Sequence, residues 1–162
     1  MTAFDKYEQF DHEVFSAFCK MFSAVSWTIQ DTDRFSGFDV SVTAKTKSTV
    51  ETYDVELKTV NLNKLLDHCF FEADKWISLV GGENNVKLYF VYYRKLNLIA
   101  VWRVDSGLLR SSEKHSIELP CATVADRGKR LKDVWLLPLK AAKIFTFDAY
   151  DIQETKSNKT AE

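Results

Sequence analysis

Two runs of strict polar/apolar alternation, joined by a four-residue polar link, constrain this chain more than any other feature. In the first run Phe38, Val40, Val42 and Ala44 share one face, and Asp39, Ser41, Thr43 and Lys45 share the other. In the second, Tyr53, Val55 and Leu57 alternate with Thr52, Asp54, Glu56 and Lys58. A period of two in β-branched and aromatic residues predicts half-buried strands. The link Thr46-Lys-Ser-Thr49 predicts a hairpin between them. Centred between Lys47 and Ser48, that hairpin sets Val42 opposite Tyr53, Val40 opposite Val55, Phe38 opposite Leu57 and Asp39 opposite Glu56. A slip of one residue would set apolar side chains against polar ones, so the parity is well specified.

The rest of the chain supplies material to cover such a hairpin. Tyr7, Phe10, Val14, Phe18, Phe22 and Val25 recur at steps of three and four, which predicts a helix over residues 5–25. Residues 26–30 predict a short strand. Asn61 or Asn63 is placed to cap a second helix. Its stripe would be Leu62, Leu65, Leu66, Cys69, Ala73, Trp76, Ile77 and Val80, stopped by Gly81-Gly82. Residues 86–93 and 98–104 read as strands apolar on both faces, suited to the middle of a sheet. Residues 105–132 read as irregular and polar with room for one short strand, and 134–139 as a last strand. The expected fold is a mixed α/β domain over residues 1–150, with helices packed on a central sheet, followed by a polar tail over 151–162.

Composition narrows the function classes. The 162 residues are 46% apolar and carry a net charge of −1, which excludes an overall basic coat. The charge is uneven. Residues 1–44 hold three bases and seven acids, whereas residues 84–150 hold twelve bases and six acids. Four of those bases are Arg127, Lys129, Arg130 and Lys132, which make either a solvated loop or a phosphate-contacting edge. Cys19, Cys69 and Cys121 have neither zinc-ligand spacing nor the pairing of a disulfide framework. The acidic start lacks an apolar signal core, and no apolar run approaches the ~18 residues of a membrane span. A cytoplasmic protein without membrane contact is expected. No phosphate-cradling glycine motif is present. Trp27, Trp76, Trp102 and Trp135 read as core residues. His12, His68 and His115 are scattered, and Tyr92, Tyr93 and Arg94 read as a central strand or as base-stacking groups.

Chemistry concentrates on the hairpin. Glu56 and Lys58 stand at i and i+2 of one strand and so share a face, with Cα atoms roughly 6.6 Å apart. Asp39 opposite Glu56 would set two carboxylates side by side, which destabilises a sheet unless something neutralises them. A divalent cation does so, and hard oxygen ligands suit Mg²⁺ or Mn²⁺. An adjacent lysine then supplies a cation for phosphate chemistry. The acid-x-Lys tripeptide is weak by itself. About two are expected by chance in a chain of this composition, and two occur, the other being Glu154-Thr-Lys156. The plain reading of Glu56 and Lys58 is a surface ion pair worth about 0–1 kcal/mol.

With these elements the chain resembles the PD-(D/E)xK nuclease superfamily, whose restriction-endonuclease-like core runs α-β-β-β-α-β. Gly37-Phe38-Asp39 matches the first motif, with Phe38 where many members have proline. Val55-Glu56-Leu57-Lys58 matches the second, and the likeness spans roughly residues 5–104. The resemblance implies that Asp39, Glu56 and the Leu57 carbonyl ligate Mg²⁺ or Mn²⁺, and that Lys58 acts on the water or the scissile phosphate. It points to Glu13 as an added first-helix ligand, and to Glu72 and Lys75 as accessory groups on the following helix. The implied activity is phosphodiester hydrolysis, most simply in DNA, with Arg127, Lys129, Arg130 and Lys132 touching the nucleic acid. A domain this small would act as a homodimer or beside a protein partner. The competing expectations are an inactive nuclease-fold module for binding or assembly, and an α/β domain whose hairpin merely carries surface charges.

Overall fold

The alternating runs lie side by side as strands in a computed structural model that describes residues 3–32, 38–120 and 128–149. In chain order the elements are α1 (Ala3–Lys20), β1 (Ser26–Asp31), β2 (Val40–Lys45), β3 (Val50–Val60), β4 (His68–Glu72) and α2 (Ala73–Val80). They continue with β5 (Val86–Tyr93), β6 (Leu98–Val104), α3 (Ser106–Arg110), β7 (Glu113–Pro120), β8 (Lys129–Pro138) and β9 (Lys143–Thr146). One sheet has the order β1-β2-β3-β5-β6-β9, and a second has the order β4-β8-β7. β2 and β3 pair antiparallel with Val42 opposite Tyr53 and Val40 opposite Val55, the register that alternation predicts. β5 runs parallel to β3, so β4 and α2 form the crossover between them.

Each face of the larger sheet has its own core. On one face α1 lays Val14, Phe15, Phe18 and Cys19 against Val40, Val42, Val55, Leu57, Phe90 and Tyr92. On the other, Tyr89, Val91, Tyr93 and Trp102 pack against Phe71 of β4, Leu79 of α2, Leu109 of α3 and Leu137 of β8. β5 feeds both cores by alternation, which is why its sequence is apolar apart from Lys87. Tyr92 and Tyr93 are both buried, so they are packing groups rather than a stacking surface, and Arg94 lies over the Phe10 ring at 5.3 Å. Among the described residues no helix is long and apolar enough to cross a membrane.

The larger departures from the sequence reading have physical causes. α1 stops at Lys20, not residue 25, and the Phe18 and Cys19 carbonyls accept from Met21 and Phe22 as the chain turns. The second helix is confined to residues 73–80, without a cap from Asn61 or Asn63; Glu72 precedes it and makes no side-chain cap. Residues 68–72, including His68 and Cys69, form β4 because Phe70 and Phe71 favour a pleated surface once β8 offers a partner. Ile77 of the expected stripe is 71% exposed, and Leu79 is the residue α2 buries. Residues 105–120 and 128–138 are mostly regular. Asp105 caps α3 by accepting from the Leu108 amide at 2.8 Å, and β7 and β8 form a hairpin. The last strand is β9; the expected one belongs to the C-terminal half of β8. Cys121 and the 151–162 tail lie outside the described residues.

Candidate active site

β3 divides its side chains between the two faces. Val55 and Leu57 enter the α1 core, which turns Asp54, Glu56 and Lys58 to the face of α2. Glu56 is 4% exposed. Lys75 reaches it from the first turns of α2, with Nζ 2.6 Å from Oε1, while Oε2 is buried without a hydrogen-bond partner. Burial pushes the Glu56 carboxyl up to about 7, the Asp39 charge adds to the rise, and Lys75 and Lys58 oppose it. Burial works against the Lys75 ammonium, but Glu56, with Asp39 and Glu72, outweighs it and holds the Lys75 pKa above its ordinary value.

A pH dependence follows from Glu56. A carboxyl whose pKa is higher in the folded state binds its proton more tightly when folded. It therefore favours folding below the unfolded pKa of 4.5 and loses that advantage as pH climbs through about 7. Metal-free protein is expected to lose stability across this window, read by urea denaturation at pH 4.5 and pH 8 in EDTA. Mn²⁺ should restore part of it at pH 8. A stability that rises steadily over the same interval would contradict the burial of Glu56.

Asp39 arrives by a different route from the one predicted. Its amide donates to the Val55 carbonyl at 3.1 Å, although Val55 already stands opposite Val40. The register therefore breaks by one residue, and Asp39 does not sit squarely opposite Glu56. Its carboxylate instead replaces a ladder partner, with Oδ2 accepting from the Leu57 amide at 2.7 Å. The Phe38 carbonyl is taken by the Thr32 hydroxyl, which also donates to the Asp39 carbonyl at 3.0 Å. The N–H and C=O of one strand residue lie on the same side. The Leu57 carbonyl thus opens past the last β2 pair, beside the Asp39 carboxylate.

The remaining expected residues are distributed unevenly. Lys58 is exposed at the outer end of this face, and its charge acts on Glu56. Glu13 accepts from Gln9 Nε2 at 3.0 Å on its own helix. The α1 acid that meets β3 is Asp11, which accepts from the Thr59 hydroxyl at 2.5 Å. Burial raises its pKa, Thr59 opposes, and Asp39 adds to the rise. Asp11 lies one turn before Val14, a position the helical stripe could have singled out. Glu72 and Lys75 do not pair with each other as helix neighbours. Glu72 ends β4 and accepts from Lys132 Nζ at 2.8 Å. Arg130 Nη2 lies 3.5 Å from Asp74, Lys129 is exposed, and Arg127 lies outside the described residues.

A second polar cluster, one row along β3, was not anticipated. Asp54 is buried and bonds Lys87 Nζ at 2.6 Å, Asn84 through its amide N–H at 3.2 Å and Nδ2 at 2.8 Å, and Ser41 Oγ at 3.1 Å. Lys87 also donates to the Gly82 carbonyl at 3.0 Å. The signal was a lone charge in the otherwise apolar β5 run.

The donor set fits a magnesium-like ion. It offers two carboxylates coupled by charge, one of them with a buried orphan oxygen, and a nearby backbone carbonyl. Among the described residues no three His, Cys, Asp or Glu side chains gather as a metal cage. Mg²⁺ needs only one or two carboxylates and keeps several waters. No family model, curated protein or solved structure matches the chain.

Proposed function

We propose that this protein is a nuclease dependent on Mg²⁺ or Mn²⁺ that hydrolyses phosphodiester bonds, DNA being the favoured substrate, on a restriction-endonuclease-like core. Support for that core comes from the succession α1, three antiparallel strands, the α2 crossover and the parallel β5, with β4 inserted before α2. The observation that carries the reading is the buried Glu56 carboxylate, with one oxygen unpartnered beside Asp39. Asp39, Glu56 and the Leu57 carbonyl would hold the cation, with Asp11 behind them. When bound, such a cation supplies Lewis-acid charge to the phosphate and eases deprotonation of water. The Leu57 amide fixes the Asp39 carboxylate in place. Lys75 neutralises the Glu56 oxygen it touches. Lys58, at the exposed end, meets negative charge developing on the phosphate. Lys129, Arg130 and Lys132 on β8 stand next to the start of α2 and give the nucleic-acid backbone a basic edge.

The test is cleavage of plasmid and short oligonucleotides with Mg²⁺ or Mn²⁺. Wild type should cut and EDTA should stop it, Asp39→Ala should fail, and Lys58→Ala should slow cleavage about 10²-fold. The contact of Lys75 with Glu56 favours one other reading, a binding or assembly module, because the acid then has a counter-ion within the protein. Absence of cleavage together with absence of Mn²⁺ heat in calorimetry would select that module.

A further inference from the structure

Beside the acid pair the same sheet face opens into a polar cleft of about 270 Å³. Its floor follows the strand register. Thr28, Thr43 and Thr52 form one row across β1, β2 and β3, and Gln30, Ser41 and Asp54 form the next. Glu56 belongs to the row after that on β3, so the cleft begins roughly 6.6 Å from Glu56. Phe38, the residue before Asp39, supplies an aromatic wall, and Asn84 and Glu83 line the far side. The volume falls just short of the roughly 300 Å³ at which pockets for drug-sized ligands begin. It suits one planar heterocycle.

The polar atoms have a definite sense. Asp54 can only accept while ionised, so Asn84 must turn its Nδ2 toward Asp54 and leaves its carbonyl oxygen for a ligand. The Asn84 amide N–H, also bound to Asp54, holds the residue in that pose. Glu83 adds a carboxylate acceptor, Gln30 an amide, and the threonines hydroxyls. Acceptors therefore outnumber fixed donors. Asn pairs well with adenine, and a carboxylate with the cytosine amino group. Thymine and uracil carry no exocyclic amine.

We infer that this cleft takes one unstacked nucleobase bearing an exocyclic amino group, from the nucleotide next to the scissile phosphate. The inference deepens the nuclease reading and rests on it for the nucleic acid. It makes the substrate single-stranded at this position, or a duplex from which one base has been turned out. Phe38 stacks on the base, while Asn84 and Gln30 read its edge.

Anisotropy in EDTA, with labelled oligo-dT carrying a single central dA, dC or abasic residue, measures the preference without cleavage. Gels with Mg²⁺ report cutting of the same strands. Wild type should bind the dA or dC strand about ten-fold tighter than all-dT or the abasic strand. Gln30→Ala, on the exposed edge strand away from the Asp54 contacts, and Asn84→Ala should both lose that preference. Equal binding of all the strands by wild type overturns the base pocket and leaves the nuclease reading standing if gels show cutting. Preference without cutting supports the pocket and removes the nuclease. No binding to any strand removes both. An Asn84→Ala that unfolds leaves Gln30→Ala to decide, and unchanged preference there refutes the pocket.

Discussion

Lys87→Met is expected to lower the unfolding free energy by about 3–5 kcal/mol, since it strands a buried carboxylate without its counter-ion. Asp54 is 1% exposed and Lys87 7%. Two strands bring them together, since Asp54 stands beside Lys87 in the β3–β5 register. Removing the ammonium leaves Ser41 and Asn84 as the remaining donors to Asp54. Gly82→Ala attacks the same cluster by shape alone. A Cβ built there would collide with Asp54 Oδ2 and lie 2.8 Å from the Phe38 ring, so one of them must move. Urea denaturation reads both variants. The double change Asp54→Leu with Lys87→Met should recover much of the loss, because it leaves no charge behind. Losses under 1 kcal/mol in both single variants would mean that water reaches this pair.

Glu56→Gln should move stability and activity in opposite directions. Ionising Glu56 in the fold costs the gap between 4.5 and about 7, so the neutral amide should stabilise the metal-free protein at pH 8 by about 3 kcal/mol. Near pH 4, where both forms of the site are uncharged, the two proteins should melt alike. Cleavage should fall about 10²–10³-fold, since an amide is a poor ligand for a hard cation and carries no charge. Paired measurements at pH 8, denaturation in EDTA and cleavage in Mg²⁺, check both halves. A variant that is less stable at pH 8 would show that the Lys75 contact outweighs burial. One that cuts normally would remove Glu56 from the chemistry.

The hairpin was legible because period-two patterning and one buried face leave a single workable register from Val40 to Lys45. That Glu56 and Lys58 share one face followed from the same periodicity. What escaped depended on neighbours distant in sequence. The register break at Asp39 arises because its carboxylate captures the Leu57 amide, which no alternation pattern encodes. Glu72 and Lys75 were expected as accessory groups on one helix, yet each found its partner on another strand, Lys132 in one case and Glu56 in the other. The stripe from Leu62 to Val80 imitates a helix by spacing, but β8 overrides it by offering Cys69 and Phe71 a strand to pair with. Polar residues on both faces of β7 and β8 hid that hairpin, because much of it borders solvent. Asp11 went unnoticed because its place beside the helical stripe gains meaning only once Thr59 is known to face it.

The two ends of the described chain meet in one core. Phe145 touches Phe18 and Phe22 of the N-terminal region, Phe147 packs edge-on to Tyr92, and the Phe147 amide ties back to the Asn97 carbonyl. During synthesis the aromatic flank of this helix gains cover first from Trp27 and Phe90, and its last ring partner, Phe145, arrives only with β9. Until β9 is made this side of the sheet stays incomplete, and the rings left open through that interval are the surface a chaperone would be called on to shield.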